Sequence, residues 1–168
     1  LAAAPLQAGQ AAKAMALFQA AADQAHALGD DDRHQHARKG VARAALSNNQ
    51  PEIAITSLQD DLAKNRNDLD TQMILTEAYF KAGLGDDARD ALTNVYAQAG
   101  ESAYTLLWIA KLATQLEQPE LAQTSLAKVM PETLTSAQRL SLSDLLLDNR
   151  QTAEAKAALD TLLNDDAT

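Results

Sequence analysis

The chain contains no cysteine. Disulfides, thiolate metal sites and a cysteine nucleophile are therefore excluded, although this absence leaves the compartment open. Aromatic residues make up only 4% of the 168 positions, and the β-branched types are sparse beside alanine and leucine. Strands draw on β-branched and aromatic side chains, whereas alanine and leucine are the strongest helix formers, so an all-α fold is expected. Basic residues are also short: 14 lysines and arginines face 23 carboxylates, for a net charge of −9. A polyphosphate backbone or an anionic lipid surface selects a basic face, so neither nucleic acid nor membrane is an expected partner. No apolar run approaches the ~20 residues that span a bilayer, which argues against membrane insertion.

What the chain does contain is a period. Pro51-Glu52-Ile53-Ala54-Ile55-Thr56-Ser57-Leu58 returns as Pro119-Glu120-Leu121-Ala122-Gln123-Thr124-Ser125-Leu126, with Gly85-Asp86-Asp87-Ala88-Arg89-Asp90-Ala91-Leu92 between them. Ala54, Ala88 and Ala122 stand 34 residues apart, and a fourth copy centred on Ala155 follows after 33. A fixed step of this size marks stacked two-helix units. Upstream of each alanine lies a second helical stretch with an aliphatic, a small and a further packing residue: Val41, Ala42, Ala45; Leu75, Thr76, Tyr79; Ile109, Ala110, Ala113; Leu142, Ser143, Leu146. Those spacings share one helix face, and the small residue admits the neighbouring helix. The second helices carry Ala54, Leu58, Leu62; Ala88, Leu92, Tyr96; Ala122, Leu126, Met130; and Ala155, Leu159, Leu163.

Boundary signals agree. Pro51 and Pro119 suit a first helical turn, and Glu52, Asp86, Asp87 and Glu120 sit where the helix dipole favours negative charge. Helix pairs are expected at about 36–48/51–64, 69–82/86–98, 103–116/119–130 and 136–148/152–163. Residues 9–28 form a longer helix whose apolar side holds Ala14, Phe18, Ala21, Ala22, Ala25 and Leu28. Gly9 reads as the turn before it, and Gly29-Asp30-Asp31-Asp32 as an extended junction after it. The final helix carries Leu159, Leu162 and Leu163 without a polar cap.

This register resembles the tetratricopeptide repeat family over about residues 36–163. The alanine opening each second helix and the leucine four residues later match throughout, and Tyr79 meets the family tyrosine. Arg38, Gln72 and Arg139 stand where the family has tryptophan or leucine, a place met only by Leu106, and Asp61 replaces a small apolar residue. A Sel1-type repeat would run slightly longer. The resemblance implies a right-handed superhelical solenoid in a single domain over 1–168, with a partial unit at 9–28 and full units at about 35–68, 69–102, 103–135 and 136–166.

It also implies that the first helices line a concave surface that binds an extended peptide or partner helix. The positions carried over are His36, Lys39, Arg43 and Ser47, then Asp70, Met73, Glu77, Phe80 and Lys81. They continue with Tyr104, Leu107, Trp108 and Lys111, then Leu140, Asp144 and Leu147. Trp108, Tyr104, Phe80 and Leu107 would anchor an apolar segment, with Lys39, Arg43 and Lys111 steering an acidic one. The lysine–asparagine set with which some members grip a terminal carboxylate is not reproduced, since Arg43 and Ile74 replace the asparagines.

No catalytic, cofactor or metal site is expected. His26, His34 and His36 beside Asp30–Asp32 lack the spacing of a metal loop. Gly83-Leu84-Gly85 follows a helix rather than a strand, which makes it a turn and not a phosphate loop. Glu77, Lys81 and Lys111 come without a nucleophile and its base. The expected role is a scaffold binding a protein or peptide, with self-association through the solenoid ends as a further possibility. The alternative is a non-catalytic spacer in a larger bacterial envelope, secretion or polysaccharide-export protein, and the sequence fits periplasm and cytoplasm alike.

Overall fold

The computed structural model describes the backbone of residues 3–131 and 134–165 and the side chains of 9–131 and 134–160. Its elements are α1 (Ala3–Ala27), α2 (Asp31–Ser47), α3 (Pro51–Lys64), α4 (Leu69–Lys81), α5 (Gly85–Gln98), α6 (Ala103–Gln115), α7 (Pro119–Ala127), α8 (Ser136–Asp148) and α9 (Thr152–Asp165). The described residues include no strand. The chain divides into two compact units, Leu1–Ala91 and Leu92–Thr168. In the first, α2 packs on α1, α3 and α4; in the second, α6 packs on α7 and α8, and α8 on α9.

The two kinds of helix start differently. α2, α4, α6 and α8 each begin at a side-chain cap: Asp30, Asp68, Ser102 and Thr135 accept from the third helical amide, at Arg33, Thr71, Thr105 and Gln138. Thr135 and Gln138 complete a reciprocal capping box. α3 and α7 have no side-chain cap and rely on Pro51 and Pro119, which lack the amide that would otherwise go unpaired.

Tight turns repeat a single geometry. Gly29, Asn49, Gly83, Glu117 and Arg150 all have positive φ, between 57° and 75°. The amide of the next residue then bonds five residues back: Asp30 to Ala25, Gln50 to Ala45, Leu84 to Tyr79, Gln118 to Ala113 and Gln151 to Leu146, at 2.8–3.0 Å. This is the Schellman closure of a helix end, which satisfies carbonyls the helix leaves open.

The repeated small residues form the cores. Ala54, Ala88 and Ala122 are fully buried and Ala155 is 1% exposed, with Leu58 and Leu92 beside them at 0%. Ala42, Thr76 and Ala110 are equally closed, at 0%. Thr76 and Ser143 can stand inside because their hydroxyls donate to their own helix, at Gln72 O (2.7 Å) and Arg139 O (2.9 Å). The polar residues at the family's tryptophan position are also tied to backbone carbonyls. Arg38 Nε donates to Ser57 O at 2.6 Å, Arg139 Nε to Pro131 O at 3.1 Å, and Gln72 Nε2 to Arg66 O.

Several expectations are corrected. α1 starts at Ala3 and runs through Gly9, which is therefore not a turn. The junction after Gly29 is short, because Asp30 caps α2 and Asp31 and Asp32 already occupy its first turn. On α1, Ala22 and Ala25 are buried, but Phe18 and Leu28 are 39% and 70% exposed. α7 closes at Ala127, so Met130 lies beyond the helix and is 53% exposed while Val129 turns inward. Leu159 is 37% exposed; the side chains of Leu162 and Leu163 lie outside the described residues.

Candidate functional site

In the first unit the expected surface residues sit on α2 and α4. Helix α4 opens on Asp68, whose carboxylate accepts from the Thr71 amide (3.3 Å) and hydroxyl (2.9 Å). Lys39 Nζ reaches across from α2 to Asp68 at 2.6 Å and to Asp70 at 3.6 Å. Arg43 pairs with Asp70 at 2.5 Å. Lys81 pairs with Glu77 at 3.1 Å and donates to Leu46 O at 3.4 Å. Burial pushes the Asp68 carboxyl up, but the Lys39 ammonium and the Thr71 hydroxyl and amide outweigh it and hold it below its ordinary value. Met73 and Phe80 lie half-buried on α4.

This pairing changes what the face can offer. Lys39 and Arg43, expected to steer an acidic ligand, spend their charge on Asp68 and Asp70. The result is a staple between consecutive hairpins with little net charge left for a partner.

In the second unit, Ser102 caps α6 and sets the side chains that follow it. Tyr104 is 66% exposed, and Trp108, one turn later on the same side, is half-buried. Lys111 is exposed. Leu107 departs from expectation: at 8% exposure it is a packing residue, because α8 lies against α6 on that side. Asp144 is exposed on α8, and Leu140 and Leu147 are 52% and 47% exposed. The structure thus pairs Lys39 and Arg43 of α2 with Asp68 and Asp70 at the start of α4, with Met73, Glu77 and Phe80 farther along α4. In the second unit it sets Tyr104, Trp108 and Lys111 in succession along α6.

Sequence reasoning missed the way Phe18 lies over Gly40. A Cβ built at Gly40 would come 2.6 Å from Phe18 Cγ, well inside contact distance. The ring therefore uses the space that a glycine leaves on α2. Cavities of about 480 and 420 Å³ flank it, and both are lined in part by His36. The signal was an isolated glycine within a helical pattern, where it costs about 1 kcal/mol relative to alanine.

No protein-family model matches the chain, and no curated protein does. A solved structure does: the crystal structure of a thermophilic TPR protein from Thermus thermophilus superposes with a TM-score of 0.58. The match covers 90% of this chain and 91% of that one at 20% identity. The chain has the tetratricopeptide-repeat fold. In that all-α fold Ala54 shares a buried cluster with Ala42 and Ala45 of α2 and Ala78 of α4. The capped helices α2, α4, α6 and α8 alternate along the chain with α3, α5, α7 and α9.

Proposed function

We propose that the protein is a non-catalytic scaffold that holds a peptide or helix of another protein against α6 and α8, with Tyr104 and Trp108 as anchors. The tetratricopeptide fold supports protein partners in general; the particular surface rests on one observation. Tyr104 is two-thirds exposed (66%) one helical turn from the half-buried Trp108, in a chain where aromatics are scarce. Large amphipathic rings left open beside each other are the side chains that dominate protein interfaces. Lys111, exposed three residues beyond Trp108 on α6, adds a positive charge beside them, which suits a segment that carries a carboxylate. The first-unit face, with Lys39 and Arg43 already paired, makes a lesser contribution.

Trp108 is the sole tryptophan, so its emission reports directly on this surface. Peptides selected from a random library against the whole chain should shift that emission on binding. Tyr104→Ala and Trp108→Ala should each weaken binding at least ~10-fold with the helical signal unchanged. Selected peptides that bind both variants as tightly as the unmodified chain would refute this surface.

A further inference from the structure

The repeated turn is a ruler for comparing helices. Aligning Gly29 with Arg150 places Leu17, Ala21, Gln24 and Leu28 of α1 on Gln138, Leu142, Leu145 and Asn149 of α8. In α8 this stripe holds the hydrogen bond that ties the helix to α6. Leu142 and Leu145 are buried at 2% and 8%, and Asn149 Nδ2 donates to Thr114 Oγ1 on α6 at 3.0 Å. In α1 the same stripe is open: Leu17 and Leu28 are 73% and 70% exposed, the largest exposures among the chain's large hydrophobic side chains described.

The receiving face is also duplicated. On α6 it holds the buried Leu107 and, seven residues on, Thr114, which accepts from Asn149. One repeat later the same positions on α8 are Leu140 and Leu147, at 52% and 47% exposure. The polarity matches at the C-terminal end of the stripe, while Gln24 stands in the place of Leu145 and Leu17 in that of Gln138. Asn149 meets Thr114 within the chain, polar on polar. Their counterparts, Leu28 and Leu147, are apolar on apolar.

We infer that the protein stacks head to tail, α1 of one copy seating on α8 of the next as α8 seats on α6. Leu28 then covers Leu147, and Ala21, with Leu17 one turn before it, covers Leu140. The contact joins two different faces, so it passes from copy to copy, into rings or open arrays, instead of ending at a symmetric dimer. Each copy carries −9, so added salt screens their repulsion and strengthens the association.

Sedimentation equilibrium tests this with two variants, Leu17→Glu/Leu28→Glu and Leu140→Glu/Leu147→Glu, all at exposed positions. The unmodified chain should exceed its 17.9 kDa monomer mass as concentration rises. Each variant alone should stay monomeric. Their equimolar mixture, which retains one intact α1 stripe and one intact α8 face, should form a 1:1 dimer and grow no further. Glutamine replacements at the same positions provide a second pair should either glutamate variant lose helical signal. An unmodified chain that stays monomeric, a variant that still associates by itself, or a mixture that does not pair would each overturn the inference.

Discussion

Arg38 and Asp61 meet inside the α2–α3 hairpin, Nε to Oδ2 at 3.1 Å, at the positions that Leu106 and Val129 occupy in the α6–α7 hairpin. Asp61 is 4% exposed and neither of its oxygens accepts a hydrogen bond, because the Arg38 Nε–H points to Ser57 O instead. An ion pair with no hydrogen bond between its members stands where the second unit has two buried aliphatic residues.

The two partners are therefore unequal. Arg38→Leu strands a buried carboxylate and should cost about 3–5 kcal/mol. Asp61→Val leaves Arg38 its bond to Ser57 O and should be close to neutral. The double variant restores the aliphatic pair and should match or exceed the original stability by up to about 4 kcal/mol. Urea unfolding of all four chains measures the coupling, and equal losses in both single variants would contradict it.

The positive-φ turns give a second test. Glu117 and Arg150 hold φ of 58° and 60° in the place where Gly83 holds 75°. Side chains in that region cost roughly 1–2 kcal/mol, partly offset by the freedom glycine adds to the unfolded chain. Glu117→Gly and Arg150→Gly should each raise the melting temperature, corresponding to about 0.5–1 kcal/mol, and Gly83→Ala should lower it by a similar amount. Calorimetry decides the sign at each site.

Asp68 sets an acid limit on the first unit. Its carboxyl is held below the ordinary value, so the folded state binds its proton less readily than the unfolded chain. The stabilisation is fully present above the unfolded value of about 3.9 and is lost as pH falls through the lower folded one. Urea midpoints followed downward from neutral pH should fall in that window, and Asp68→Asn should flatten the decline. An unchanged slope in the variant would assign the acid sensitivity to other carboxylates.

Gly40→Ala should destabilise the α1–α2 hairpin. Alanine is the better helix former by about 1 kcal/mol, but its methyl enters the Phe18 ring, and overpacking of this kind costs about 1–3 kcal/mol. Adding Phe18→Leu should recover the loss. A Gly40→Ala chain more stable than the original would mean that the ring swings clear.

The buried ladder of Ala54, Ala88, Ala122 and Ala155 was legible because a helix writes its packing face into neighbours three and four residues apart. The prolines opening α3 and α7 were legible for the same reason, since an unpaired amide is a local matter. Glu117 and Arg150 were not legible as left-handed turn residues, because their side chains do not favour that conformation, whereas glycine and asparagine adopt it readily. Lys39 and Arg43 had the right place on α2, but their charge could not be assessed without seeing Asp68 and Asp70 arrive opposite them.

By itself, then, the amino-acid order determined the unit: its 34-residue length, its two helices, and the small side chains through which they touch. Tertiary structure decided which faces stay open. Leu107 and Leu140 hold the same place in their helices, yet one is 8% exposed and the other 52%. The physical reason is that helical periodicity depends on residues within one turn, whereas exposure depends on which distant helix comes to lie alongside.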